Sequence, residues 1–93
     1  MIKSFADGDT NLLWETGKSR RIPAHIRRAA LKKLVILHWA TRLSDLSVLA
    51  GNHLEALRKG RKGQHSIRVN DQFRLCFIWR EPDAFDAEIV DYH

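Results

Sequence analysis

Apolar residues recur along this chain with two different periods, and the change of period divides it. From Ile26 onward they return every three or four positions, at Ala30, Leu34, Leu37 and Thr41. That spacing lines one face of a helix and predicts a long helix over roughly residues 23–40. Pro23 suits its first turn, where an N–H would have no intrahelical partner. Ahead of it, Asp7-Gly8-Asp9-Thr10 reads as a turn with capping residues. Leu12, Leu13 and Trp14 follow as a short helix, and Gly17 suits its C-cap. Leu43, Leu46 and Leu49 add one more helical turn.

After Gly51 the period falls to two. Residues 64–69 and 73–79 both alternate, and Asn70-Asp71-Gln72 joins them, which predicts a hairpin. Glu81-Pro82-Asp83 makes the next turn, and residues 85–90 form a third strand. Ile2-Lys3-Ser4-Phe5 alternates as a short first strand, whereas His53 to Leu57 is ambiguous. The order is strand, two helices, antiparallel meander. It predicts an α+β fold, one domain over residues 1–93, with the helices on one face of the sheet. Phe73, Leu75, Phe77 and Trp79 then face the core, and Arg74, Cys76, Ile78 and Arg80 face away from it. With Ile89 inward, Tyr92 falls on the open side with Arg74.

Charge adds a partner to this picture. The formal net charge is +5, unevenly spread: residues 18–33 carry seven Lys/Arg and no acid, residues 58–62 carry four more, and residues 81–93 carry five acids and no Lys/Arg. Dense basic clusters on a small domain suit a polyanion, above all nucleic acid. No apolar run is long enough to cross a bilayer, and the opening residues lack the apolar stretch of a secretory signal. Cys76, the sole cysteine, cannot form an internal disulfide, so a reducing cytoplasm is the expected location. No spacing of His and Cys matches a metal-ligand motif, and neither metal nor cofactor is expected. His38 interrupts an apolar helix face, so it is expected to be a half-buried, hydrogen-bonded ring.

The chemistry gathers at Asp91-Tyr92-His93, directly after the third strand of the meander. Tyrosine and histidine both move protons, and histidine titrates nearest neutrality. The segment Gly63-Gln64-His65-Ser66-Ile67-Arg68-Val69-Asn70-Asp71-Gln72-Phe73-Arg74-Leu75-Cys76-Phe77, together with Glu88-Ile89-Val90-Asp91-Tyr92-His93, closely resembles the HigB branch of the RelE-type toxins. The opening Met1-Ile2-Lys3-Ser4-Phe5 and Gly51-Asn52-His53-Leu54-Glu55 resemble that branch too, in particular its GraT-like members.

The resemblance implies a type II toxin that cleaves mRNA in the ribosomal A site, in contact with ribosomal RNA. It also implies a HigA-type helix-turn-helix antitoxin, through which alone operator DNA would be bound. Arg74 matches the family's sheet arginine that clamps phosphate, and Arg58 a basic position at the site's edge. Tyr92 and His93 match the C-terminal pair that orients the nucleotide and moves protons. Some members carry histidine where this chain has Glu55, which leaves the general base open among His93, Glu55 and His65. Lys59, Arg61, Lys62, His65 and Arg68 are expected to hold RNA. The antitoxin surface is expected either on the helical face, with Arg20, Arg21, Arg27 and Arg28, or at the sheet edges. A non-catalytic RNA- or ribosome-binding module is the alternative; it would need neither Tyr92 nor His93.

Overall fold

The computed structural model describes residues 1–91, so Tyr92 and His93 lie outside the described residues. Its elements run α1 (Gly8–Thr16), α2 (Ala24–Trp39), α3 (Leu43–Ser47), β1 (Glu55–Ala56), β2 (Gln64–Arg68), β3 (Phe73–Arg80) and β4 (Asp83–Asp91). The strands form one antiparallel sheet in the order β1-β2-β3-β4.

The long helix follows from its stripe. Ile26, Ala30, Leu34 and Leu37 are all buried in α2. They pack with Leu13 of α1, Leu46 of α3, and Ile67, Leu75, Phe77 and Ile89 of the sheet. The stripe stops one residue short of expectation. Helix α2 ends at Trp39 and Ala40 turns extended, so Thr41 is exposed and Ala40 is buried instead. His38 is the polar ring expected: its Nδ1 accepts the N–H of Ile2 at 3.2 Å, and Trp14 and Trp39 lie against it.

Helix α1 begins earlier than the apolar pattern suggests. The Asp7-Gly8-Asp9-Thr10 turn is its first turn, and Gly17 closes it in the left-handed conformation at φ 79°. Asp7 stands at the N-cap without capping by its side chain. Its carboxylate instead pairs with Arg21 at 2.6 Å. The Arg21 guanidinium also donates to the Ile89 carbonyl at 3.1 Å, which ties α1 and the following loop to β4. Arg27 likewise donates to the carbonyls of Ser19 (2.5 Å) and Ile22 (3.0 Å). Two arginines of the basic stretch are therefore fold pins rather than free surface charges.

The first strand is the main departure. Ile2 and Phe5 make only two isolated bridges, parallel to β4, at Ala84 and Ala87. The reason lies in β4, where the register slips between Cys76 and Ile78 of its partner. Asp86, at φ 52°, is the extra residue of a bulge. Ser4 Oγ accepts the Asp86 N–H at 2.9 Å and donates to its carboxylate at 3.1 Å. The bulge also shifts the side-chain phase, so that Ala84, Ala87 and Ile89 are all buried although they do not follow a strict period of two.

The ambiguous stretch before the basic loop supplies β1, which makes the sheet four-stranded. Its entry is set by Asn52, fully buried. The Asn52 amide donates to the Leu46 carbonyl at 2.9 Å and accepts from Lys33 Nζ at 2.6 Å. Lys33 thus turns inward. Burial, then the positive charges of Lys32 and Arg68, pull its ammonium below the ordinary lysine range. The next residue, His53, takes the left-handed conformation at φ 44° and turns the chain into β1.

The candidate site on the open sheet face

Register places residues that are far apart in sequence in one row across the sheet. Glu55 lies opposite Ser66, Ser66 opposite Cys76, and Cys76 opposite Glu88. The row next to it holds Arg68, Arg74 and Val90. Cross-strand partners share a face, so both rows lie on the side away from Leu75, Phe77 and the helices. Arg74 therefore stands on the open face, as its parity predicts.

Its guanidinium is far from loose. The Arg74 side chain is only 11% exposed. Nε donates to Ser66 Oγ at 2.7 Å, and Nη2 donates to the His53 carbonyl at 2.5 Å and the Ser66 carbonyl at 3.3 Å. Nη1 faces the Glu55 carboxylate at 3.4 Å, and that carboxylate is 56% exposed. Arg74 and Glu55 are thus brought together, with Glu55 on the solvent side of the pair.

A second Arg–Glu pair crosses the same face. Arg61, from the turn Lys59–Arg61, donates to Gln64 Oε1 at 3.1 Å and lies 3.3 Å from Glu88. Between the two pairs, Cys76 is fully buried even though it belongs to the open-face row. Burial pushes its thiol above the ordinary range, with Glu88 adding to this and Arg61 and Arg74 opposing it. A protonated, covered thiol is no nucleophile. Arg58 and Lys62 are exposed on the loop beside this floor. Arg68 is on the open face and is bound by Asp71 at the hairpin turn.

His65 is not brought to this site. It lies opposite Phe77, on the core-side face, with its ring stacked on Phe77 at 6.3 Å. Its Nδ1 is buried without a hydrogen-bond partner among the described residues. The parity it shares with Ile67 and Val69 in the sequence already points it inward. Conversely, Ser66 and Glu88 were not singled out from the sequence. The signal for Ser66 was present: it is the diagonal cross-strand neighbour of Arg74 once the hairpin register is drawn. Glu88 required the β3–β4 register as well. Tyr92 and His93 follow β4 directly but lie outside the described residues.

Taken together, the open face presents a guanidinium held on two sides with an exposed carboxylate partner, a second Arg–Glu pair, and an exposed basic loop. Guanidinium groups so placed have the geometry to donate charge-assisted, directional hydrogen bonds to a phosphate. No group of His, Cys, Asp and Glu suited to a metal occurs among the described residues.

Known proteins give the chain a lineage. Residues 3–93 match the model of the HigB-like toxins, described as RelE-like toxin of type II toxin–antitoxin system HigB. The chain is 42% identical over 88 residues to the toxin HigB-1 of Vibrio cholerae, a match covering 94% of this chain and 93% of that protein. It is 31% identical over 93 residues to the endoribonuclease HigB of Proteus vulgaris, with both chains covered in full. With the family match spanning residues 3–93 and two relatives matched over nearly the whole chain, the chain belongs to the HigB-like family of RelE-like type II toxins.

Proposed function

We propose that this toxin is a ribosome-dependent endoribonuclease that cleaves mRNA in the ribosomal A site. The observation that carries this reading is Arg74, nearly buried, held on two sides by Ser66 and His53, and turned by Nη1 toward an exposed carboxylate. A phosphate can replace Glu55 at that edge without moving the guanidinium. The full-length similarity to a protein named an endoribonuclease supports RNA as the substrate.

The chemistry is a metal-independent phosphoryl transfer. The 2′-hydroxyl attacks the adjacent phosphorus, a base takes its proton, and the P–O5′ bond breaks as an acid protonates the leaving oxygen. The products are a 2′,3′-cyclic phosphate and a 5′-hydroxyl. Arg74 stabilises the charge that grows on the phosphoryl oxygens. Tyr92 and His93 orient the nucleotide and transfer protons, with His93 the leading base and Glu55, once released by Arg74, the second. Arg58, Lys59, Arg61, Lys62 and Arg68 hold the RNA backbone and ribosomal RNA.

A type II toxin has an antitoxin partner. Here that partner is a HigA-type helix-turn-helix protein, which carries the operator-binding function. Primer extension on a defined mRNA, with and without translating ribosomes, tests the reading. New 5′ ends that appear only with ribosomes, and vanish in His93→Ala and Tyr92→Phe, are the expected result. Ribosome binding without cleavage by the wild-type protein would instead favour a non-catalytic module.

A further inference from the structure

We propose that Ser66 is the positioning residue of Arg74. This rests on the reading of Arg74 as the phosphate-binding group of the site. Arg74 stands on β3, but its guanidinium lies over β2, where a single residue receives it twice. Ser66 Oγ accepts from Nε at 2.7 Å and the Ser66 carbonyl accepts from Nη2 at 3.3 Å. The His53 carbonyl closes the other side of Nη2 at 2.5 Å. The three acceptors lie on two different segments, so they fix the guanidinium plane as well as its position. Among the described residues only Glu55 reaches Nη1.

The residue type is specific to this task. Ser66 is fully buried in the row between Glu55 and Cys76. A bulky side chain without a hydroxyl there would lift the guanidinium off the sheet, whereas threonine adds one methyl and keeps the acceptor; alanine would remove the Oγ that Nε binds. An arginine stem has several rotatable bonds, so an unheld guanidinium samples many positions. Holding it in place before RNA arrives removes that search from the reaction. Ser66 itself, buried beneath the guanidinium, has no route to the phosphate. It acts through Arg74.

The test compares single-turnover mRNA cleavage on programmed ribosomes by wild type, Ser66→Ala, Ser66→Thr, Arg74→Ala and the Ser66→Ala/Arg74→Ala double variant. Ser66→Ala is expected to lower the rate at saturating ribosomes by about a hundredfold, the scale of a small misplacement of a catalytic group. The half-saturating ribosome concentration should stay unchanged. Ser66→Thr, which keeps the hydroxyl, should recover most of the rate. In the Arg74→Ala background, Ser66→Ala should have no further effect, because two residues acting as one unit are not additive.

A second readout does not depend on activity. The Arg74 Nε–H resonance should be protected from solvent exchange in wild type and Ser66→Thr, and exchange fast in Ser66→Ala. A Ser66→Ala variant with the wild-type rate beside an inactive Arg74→Ala would sink this inference and leave the site reading intact. Equal losses from Ser66→Ala in both backgrounds would also overturn it, since that is the mark of a merely structural residue. A wild-type rate in Arg74→Ala would remove the site reading itself, and the inference with it.

Discussion

Arg74 illustrates how one side chain can be buried and available at once. Its Nε and Nη2 are bound by Ser66 and the His53 carbonyl, while Nη1 faces the exposed carboxylate of Glu55. Arg74→Ala is expected to lower cleavage by about a hundredfold or more, the effect of removing one preorganised charge donor. Arg74→Lys should not restore it, since an ammonium cannot reproduce the guanidinium fork. Cleavage rates on programmed ribosomes check both. His38 shows the opposite use of a titratable group. Burial, then the positive N-terminal amine, lowers its pKa from the ordinary 6.5, and its neutral Nδ1 accepts the Ile2 N–H. Below 6.5 the unfolded chain binds a proton that the folded chain resists, so stability falls as pH drops through that region and levels off beneath the lowered folded value. Urea midpoints measured from pH 7.5 to 5 should follow this slope. His38→Asn, whose amide oxygen can accept the same N–H without titrating, should flatten it.

At the scale of elements, the site depends on joints rather than on the strands alone. Asn52 links α2, α3 and the start of β1 through Lys33 and the Leu46 carbonyl. The residue after it supplies the carbonyl that holds Arg74. Asn52→Ala would strand a partly buried ammonium and a buried carbonyl, at a cost of about 2–3 kcal/mol. A lower urea midpoint at unchanged denaturant slope would be the sign of it. The same sheet shows what alternation reveals and what it hides. Phe73, Leu75 and Phe77 are buried as their parity requires, and the helix over 24–39 follows from its stripe. The bulge at Asp86 was hidden, because it depends on Ser4, more than eighty positions away in the chain, meeting the β4 backbone. The short β1 was hidden for a similar reason: two residues carry no period, and only pairing with β2 makes them a strand.

Across the whole molecule, charge is sorted by folding. Of the arginines in the basic stretch, Arg21, itself exposed, is bound by Asp7 and the Ile89 carbonyl, and Arg27 by backbone carbonyls; Arg20 and Arg28 are also exposed. Composition alone cannot make that distinction. Arg58 and Lys62 stay exposed on the loop and form the proposed polyanion-binding surface. Removing both, Arg58→Ala with Lys62→Ala, should weaken ribosome or RNA binding and make the dependence of log affinity on log salt shallower by about 1.4–1.8, near 0.7–0.9 per phosphate contact. Binding isotherms at several salt concentrations measure that slope; an unchanged slope would remove these two residues from the interface. No helix among the described residues is long and apolar enough to cross a membrane.

The sequence by itself determined the fold class, the long helix, the hairpin and the side of the sheet on which Arg74 stands, because periods of 3.6 and two are local properties of a backbone. Its resemblance to a toxin family supplied the role proposed for that side. Only the tertiary structure decided what holds Arg74. Ser66, His53 and Glu55 meet it through strand register and a left-handed turn, and register emerges only when the strands pair. It decided, too, that His65 belongs to the inner face, that Cys76 is covered, and that two of the basic-stretch arginines hold the fold together. Those outcomes depend on which partner comes within hydrogen-bonding reach, and that is settled by packing across the chain rather than along it.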